Sequence, residues 1–203
     1  MLVSALGRAW PLQIVLLTSL GLAQVPGCLI RNDSVGAVHS GMTVTQARQV
    51  LRGATLRPSV DAAGLRMLLV IRDGRHTMDL YTVGGDLKES SKIESIRVFD
   101  GTCATADGVH PGMMLEEAGR RYGRLQRLRV TDTESREYAE FERLPSWLRI
   151  QVGNGQAGIY PAGKRCTTNY VPTAHIASLW VSTAVNNMAP EDESTCNIPR
   201  QRR

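Results

Sequence analysis

The hydrophobic and polar positions fall into two series of similar grammar. Val38-His39-Ser40-Gly41-Met42 is followed by Thr43-Val44-Thr45-Gln46, and then Ala47, Val50 and Leu51 recur at i, i+3 and i+4. Thr43 and Gln46 have the spacing of a capping box, in which each side chain satisfies a free amide of the first helical turn. The pattern predicts a helix of about ten residues with one apolar face, stopped near Gly53. Val109-His110-Pro111-Gly112-Met113 opens a second series, in which Leu115, Ala118 and Tyr122 share a face and Gly123 follows. Glu116 and Glu117 suit a first helical turn electrostatically, but Met114 stands at the capping position and brings no acceptor.

Between and after these helices the period shortens toward two. Leu65 to Ile71, Met78 to Val83 and Lys92 to Phe99 are predicted strands of the first series. Arg136 to Arg143, Leu148 to Val152 and His175 to Ser182 are those of the second. Asp73-Gly74 and Asn154-Gly155 supply turn signals, the former within a segment longer than two residues.

The series align in order. The five-residue blocks at 38 and 109 share four residues at an offset of 71. Leu69-x-Ile71-x-Asp73-Gly74 answers Ile150-x-Val152-x-Asn154-Gly155 at an offset of 81, and Ile93 to Val98 answers Ile176 to Val181 at 83. The expected fold is α+β: two tandem repeats, each a short helix packed on a small antiparallel sheet, over 24–101 and 102–183. Residues 184–203, with few large apolar groups, read as a disordered tail.

Residues 1–23 are expected to be a signal peptide, with Arg8 ahead of an 11-residue apolar run from Leu12 to Leu22. That run is shorter than the roughly 20 residues needed to span a bilayer. Val25-Pro26-Gly27-Cys28 offers a second route, lipidation of Cys28 as in a bacterial lipobox, and with it an outer-membrane anchor. In an exported, periplasmic or secreted chain the four cysteines are expected to pair. Cys103–Cys166 is the favoured disulfide because both lie in the second half, leaving Cys28 and Cys196 to join or, with Cys28 acylated, Cys196 free.

Gly41-Met42-Thr43 with Gln46-Ala47 and Val50-Leu51, and more loosely Gly112-Met113 with Glu116-Glu117-Ala118 and Gly123, resemble two groups of exported bacterial proteins. These are the β-lactamase-inhibitor-protein-like fold and the small outer-membrane assembly lipoproteins of the SmpA/OmlA type. The resemblance implies binding of another macromolecule through a sheet face and loops, without chemistry.

Composition adds charge. Of the 203 residues, 24 are Lys or Arg and 19 are Asp or Glu, and loss of 1–23 would remove one of the cations. Aromatic residues are only 5% of the chain, so a stripe of stacked bases on a basic face is a poor expectation, and nucleic acid is not an expected partner. A protein or an envelope component is, with peripheral or lipid-anchored membrane association as its setting. The candidate contact residues are Arg72, Arg75 and His76, then Arg120, Arg121, Arg124 and Arg127, then Lys164 and Arg165. His39 and His110 occupy the same slot and suit a turn role better than a symmetric site. No HExxH, CxxC or Gly-x-Ser-x-Gly element occurs, so no catalytic, metal or cofactor residue is assigned. The alternatives are an envelope hydrolase acting on wall polymers and a structural lipoprotein.

Overall fold

The computed structural model describes residues 27–131, 134–153, 156–182 and Cys196. The expected signal peptide, the expected turn at Asn154-Gly155 and all of the expected tail except Cys196 lie outside them. In chain order the elements are β1 (Cys28–Ile30), β2 (Ser34–Val35), β3 (Val38–His39), α1 (Val44–Val50), β4 (Thr55–Val60), β5 (Arg66–Arg72), β6 (Arg75–Thr82) and β7 (Ile93–Val98). There follow β8 (Cys103–Thr105), α2 (Leu115–Tyr122), β9 (Leu125–Val130), β10 (Glu137–Phe141), β11 (Leu148–Val152), β12 (Cys166–Thr167) and β13 (Ile176–Ser182).

The protein is α+β, mostly β, with two short helices over two sheets. A mixed sheet has the order β3-β2-β1-β8, and an antiparallel sheet of nine strands has the order β12-β9-β10-β11-β13-β7-β6-β5-β4. Both helices pack on one face of the large sheet. Val44, Ala47 and Leu51 of the first and Leu115, Ala118 and Tyr122 of the second meet Leu68, Leu80, Ile96, Leu179, Ile150 and Leu128 in one buried cluster.

The capping box of α1 forms as expected: Gln46 N donates to Thr43 Oγ1 at 3.2 Å and Thr43 N donates to Gln46 Oε1 at 2.8 Å. The helices have seven and eight residues, shorter than expected. Val50 is exposed rather than in the core, because a helix that ends at Val50 turns its apolar stripe through Val44, Ala47 and the cap residue Leu51. Met114 provides no side-chain cap to α2.

The two halves enter their helices by the same contacts. Gly41 N donates to Ile93 O and Ile93 N to Met42 O, at 2.8 and 2.7 Å. Gly112 N donates to Ile176 O and Ile176 N to Met113 O, at 2.7 and 2.8 Å. Gly41 and Gly112 adopt φ of 85° and 87°, which a side chain would resist. His39 Nδ1 and His110 Nδ1 each lie against the next residue's carbonyl, at 2.9 and 2.8 Å.

Sheet order corrects one equivalence. Leu69–Ile71 lies in the second strand after α1, whereas Ile150–Val152 lies in the third after α2, so those segments match in sequence but not in position. Asp73-Gly74 is also a tighter turn than expected. Arg72 pairs with Arg75, and φ of 51° and 72° at the two residues between them is the left-handed geometry of a two-residue hairpin. The irregular alternation of β7 has its cause in a register shift, since Tyr81 pairs with Ser95 and Thr82 with Ile93. Glu94 is the extra residue, and Ile93 and Ile96 both reach the core.

The disulfides differ from expectation. They are Cys28–Cys103 and Cys166–Cys196, not Cys103–Cys166. β1 runs parallel to β8 with Cys28 opposite Cys103, while Cys166 sits in β12 at the far edge of the other sheet. Division into halves misled, because the first strand of the chain returns beside the start of the second half. Cys28 Sγ is thereby spent: the atom that lipidation requires is bonded to Cys103. Two disulfides fit an oxidising, extracytoplasmic compartment. Among the described residues no helix is long and apolar enough to cross a membrane.

The Cys28–Cys103 bond closes a loop with a sequence separation of 75, which on chain-entropy grounds stabilises by about 4 kcal/mol. Replacing both cysteines by serine is expected to lower the unfolding free energy by about that amount in a denaturant titration.

Candidate functional site

Strand alternation sends a second set of side chains to the face of the large sheet that carries no helix. One row across it reads Leu69, Asp79, Arg97, Trp180 and Arg149, each opposite the next. A neighbouring row reads Ser178, Gln151, Tyr138, Arg129 and Cys166. This face is polar and aromatic where its reverse is aliphatic.

Arg97 is its centre. Its guanidinium donates to Ser178 Oγ at 3.1 Å and to Gln151 Oε1, lies 3.9 Å from Asp79, and covers the rings of Phe99 and Trp180 at 4.8 and 5.7 Å. Tyr81 stacks on Trp180 with centroids 4.8 Å apart. The two rings meet because Ser95, on the strand between them, is small. With Met67 and Leu69 they form a second apolar cluster, so the middle of this face is filled from within.

The sheet curls to close over it. Arg136, just before β10, lies 3.5 Å from Asp61 in the β4–β5 turn, although four strands separate β10 from β5. In a flat sheet five strand spacings would hold them about 24 Å apart. Asp61 Oδ2 also accepts from Tyr81 at 3.3 Å, and Arg136 pairs with Glu134 at 2.6 Å. Residues from opposite corners of the sheet are thus clasped beside Tyr81, which stacks on Trp180. The polar face is therefore neither flat nor open at its middle.

Burial governs the titration of this face. Asp79 is buried, and desolvation lifts its pKa above the ordinary carboxylate value, opposed by His76, whose Nε2 is 2.6 Å away, and by Arg97. Burial, with Asp79 and Asp61 adding to it, also pushes the Tyr81 phenol up. At the other end of the sheet Glu137 is fully buried and accepts from the backbone N–H groups of Gln156, Ala157 and Gly158 at 3.0, 2.9 and 2.7 Å. Tyr160 donates to it at 2.9 Å, and burial together with that carboxylate raises the tyrosine's pKa. One carboxylate therefore holds the segment 156–160.

The predicted contact residues do not converge. Arg72, Arg75 and His76 are exposed together at the β5–β6 turn. Arg120 and Arg121 extend from α2, where Arg120 pairs with Glu116 at 2.8 Å. Arg124 is exposed in the turn between Gly123 and β9, while Arg127, in β9, pairs with Glu140 at 2.6 Å on the polar face. The candidates Arg120, Arg121, Arg124 and Arg127 are therefore not on one surface: the first two extend from the helix face and Arg127 lies on the polar face. Lys164 is exposed and Arg165 half-buried beside β12. Asp61, Asp79, Arg97, Arg136 and Glu137 were missed by sequence reasoning. Only Asp79 and Arg97 left a signal, as charges within otherwise apolar strands.

A cavity of about 260 Å³ opens beside the Cys28–Cys103 bond, floored by Leu51, Val70 and Met78 and rimmed by Arg72, Asp100 and Thr102. Among the described residues no three His, Cys, Asp or Glu side chains gather as metal ligands.

No protein-family model and no curated protein matches the chain. A solved structure is similar to it. The uncharacterized protein yfeY from Escherichia coli aligns with a TM-score of 0.54 at 15% identity, over 74% of this chain and 97% of that one. At that identity the likeness is one of fold.

Because the pKa of Asp79 is raised in the folded state, its contribution to stability is full below the unfolded carboxylate pKa and is lost as pH rises through the folded value. The melting temperature of Asp79→Asn, relative to wild type, is expected to climb between pH 3 and pH 7; a relative fall over that range would contradict the assignment. Glu137→Ala takes the acceptor from three N–H groups, that of Ala157 buried and those of Gln156 and Gly158 partly so, and is expected to cost roughly 3 kcal/mol, with the loss of protection from hydrogen exchange concentrated in 156–160.

Proposed function

We propose that the protein is an exported, non-enzymatic binding protein that engages an acidic protein or envelope polymer through the end of its β5–β6 hairpin. The observation that carries this is the pair Arg72 and Arg75. They stand directly opposite each other across a two-residue turn with His76 next in line, and all three are exposed. Like charges facing across a strand pair destabilise it. Neither arginine has a carboxylate partner among the described residues, in contrast to Arg48, Arg120 and Arg127, which pair with Glu89, Glu116 and Glu140. A bound anion relieves the repulsion, so the same geometry that is costly in isolation favours an acidic ligand.

The two halves, 24–101 and 102–183, are in this reading tandem copies of one helix-plus-sheet unit. The paired contacts of Gly41 with Ile93 and Gly112 with Ile176 support it. So does the mirrored order of β4-β5-β6-β7 and β9-β10-β11-β13 about the middle of the sheet. Duplication also supports the resemblance to the β-lactamase-inhibitor-protein-like fold and SmpA/OmlA-type proteins, which implies binding through a sheet face and loops. The periplasm is the compartment that suits a disulfide-bonded chain with this partner chemistry.

Capture of a partner from envelope extract is the test. The wild-type protein is expected to retain a specific partner at low salt and to release it as salt rises. Arg72→Glu with Arg75→Glu is expected to abolish capture without lowering stability. Undiminished capture by the double variant would defeat the proposal.

A further inference from the structure

The opposite end of β5 has the reverse chemistry. Val60, Leu65 and Val83 are 58%, 49% and 58% exposed, and Ala62 and Ala63 between them are exposed as well. Val60 ends β4 opposite Arg66, and Met67 pairs with Tyr81. That register carries Leu65 to the level of Val83 on the polar face, while Val60 and Arg66 lie on the helix face, so the apolar side chains flank the end of the hairpin from both sides and meet only at its tip. The other exposed large apolar side chains among the described residues, Val50, Met114 and Ile159, stand apart on separate elements.

The corner is held rigidly. Asp61 Oδ1 accepts from the N–H groups of Ala63 and Leu65 at 3.0 and 2.9 Å, Asp61 N donates to Leu65 O at 2.9 Å, and Gly64 takes a φ of 81°. The Asp61 side chain is itself only 3% exposed and is anchored by Arg136. The one carboxylate of the turn thus faces inward, beside a cation, while aliphatic groups face out. Around them the outward charges are Arg66, Lys88 and Asp86; Asp86 pairs with Lys88 at 2.9 Å and also lies in the field of Arg66, so the group keeps one net positive charge.

We infer that this corner is a lipid-contacting tip, which seats Val60, Leu65 and Val83 in the interface of an anionic bilayer with Arg66 at the headgroup level. Aliphatic side chains on a convex turn, a carboxylate withdrawn from the surface and a flanking cation are the polarity that such an interface accepts. The neighbouring edge strand argues against another chain of this protein as the occupant. β4 carries Pro58, which lacks an N–H, and exposed Arg57, both of which oppose strand addition there. The inference is independent of the acidic partner proposed for the Arg72–Arg75 end, since the two lie at opposite ends of β5.

Sedimentation with vesicles of phosphatidylglycerol and phosphatidylethanolamine tests it on the full oxidised protein. Wild type is expected to partition onto the vesicles, and Leu65→Glu with Val83→Glu to partition roughly tenfold less, with an unchanged circular dichroism spectrum and melting temperature. Leu65→Met, which keeps an apolar side chain, is expected to partition as wild type does. Should the Glu variant unfold, Leu65→Ser with Val83→Ser serves in its place, with the same direction expected. Failure of wild type to bind vesicles, or equal binding by the polar variants, overturns the proposal. So does a concentration-dependent dimer in sedimentation velocity that the polar variants abolish, which would give the corner to a second copy. Arg72→Glu with Arg75→Glu separates the two ideas, because it is expected to lose the acidic partner while the loss of vesicle binding on Leu65→Glu persists in its background.

Discussion

The ladder between β7 and β13 is the constraint on which the molecule depends. Val98 opposite Leu179 and Ile96 opposite Val181 join the strands of the two halves into one sheet, and on the helix face these four residues lie in the shared core. The same ladder places Arg97 opposite Trp180 and Ser95 opposite Ser182 on the reverse. One set of backbone hydrogen bonds thus fixes an aliphatic layer beneath the helices and a polar, aromatic layer opposite them. Without it, each half would hold four long strands and a single short helix, too little to exclude water from a core.

Large sheets twist, and here twist decides which surface is available. Nine strands curl until Asp61 meets Arg136, and the centre of the polar face is taken up by Arg97, Tyr81 and Trp180 bonding and stacking among themselves. The exposed charged and aliphatic groups are thereby left at the margins. At one end of β5 two arginines oppose each other; at the other, a rigid turn displays Val60, Ala62, Ala63 and Leu65. Buried charge follows one rule throughout. Asp61, Asp79 and Glu137 are withdrawn from water, and each is met by a cation or by several donors, as burial of an ion demands.

How much of this was legible follows from the range of the forces involved. The capping box of α1, the apolar face of Leu115, Ala118 and Tyr122, and the six principal strands arise from neighbours within a few residues, and periodicity reports them; on α1 it reported Ala47 and Leu51 but named Val50 where Val44 is the buried residue. β4 was hidden by Pro58, which demotes a strand unless it lies at an edge, as it does. β9 was hidden by its arginines, which suggest a charged patch until alternation sets Arg127 and Arg129 on one face and Leu128 on the other.

The chain by itself determined that two helix starts share one design, that short strands follow each, and that four cysteines are available to pair. These are local properties of side-chain size, polarity and capping. Tertiary structure alone decided that Cys28 pairs with Cys103, because β1 leaves its own half to lie parallel to β8. It alone brought Asp61 to Arg136 and buried Glu137 beneath 156–160. Such contacts depend on strand order and on the accumulated twist of nine strands, which no window along the chain contains. The arginines between 120 and 129, near one another in sequence, fall on both faces of the sheet for the same reason: alternation in a strand separates neighbours in sequence, and a sheet gathers residues that the chain keeps far apart.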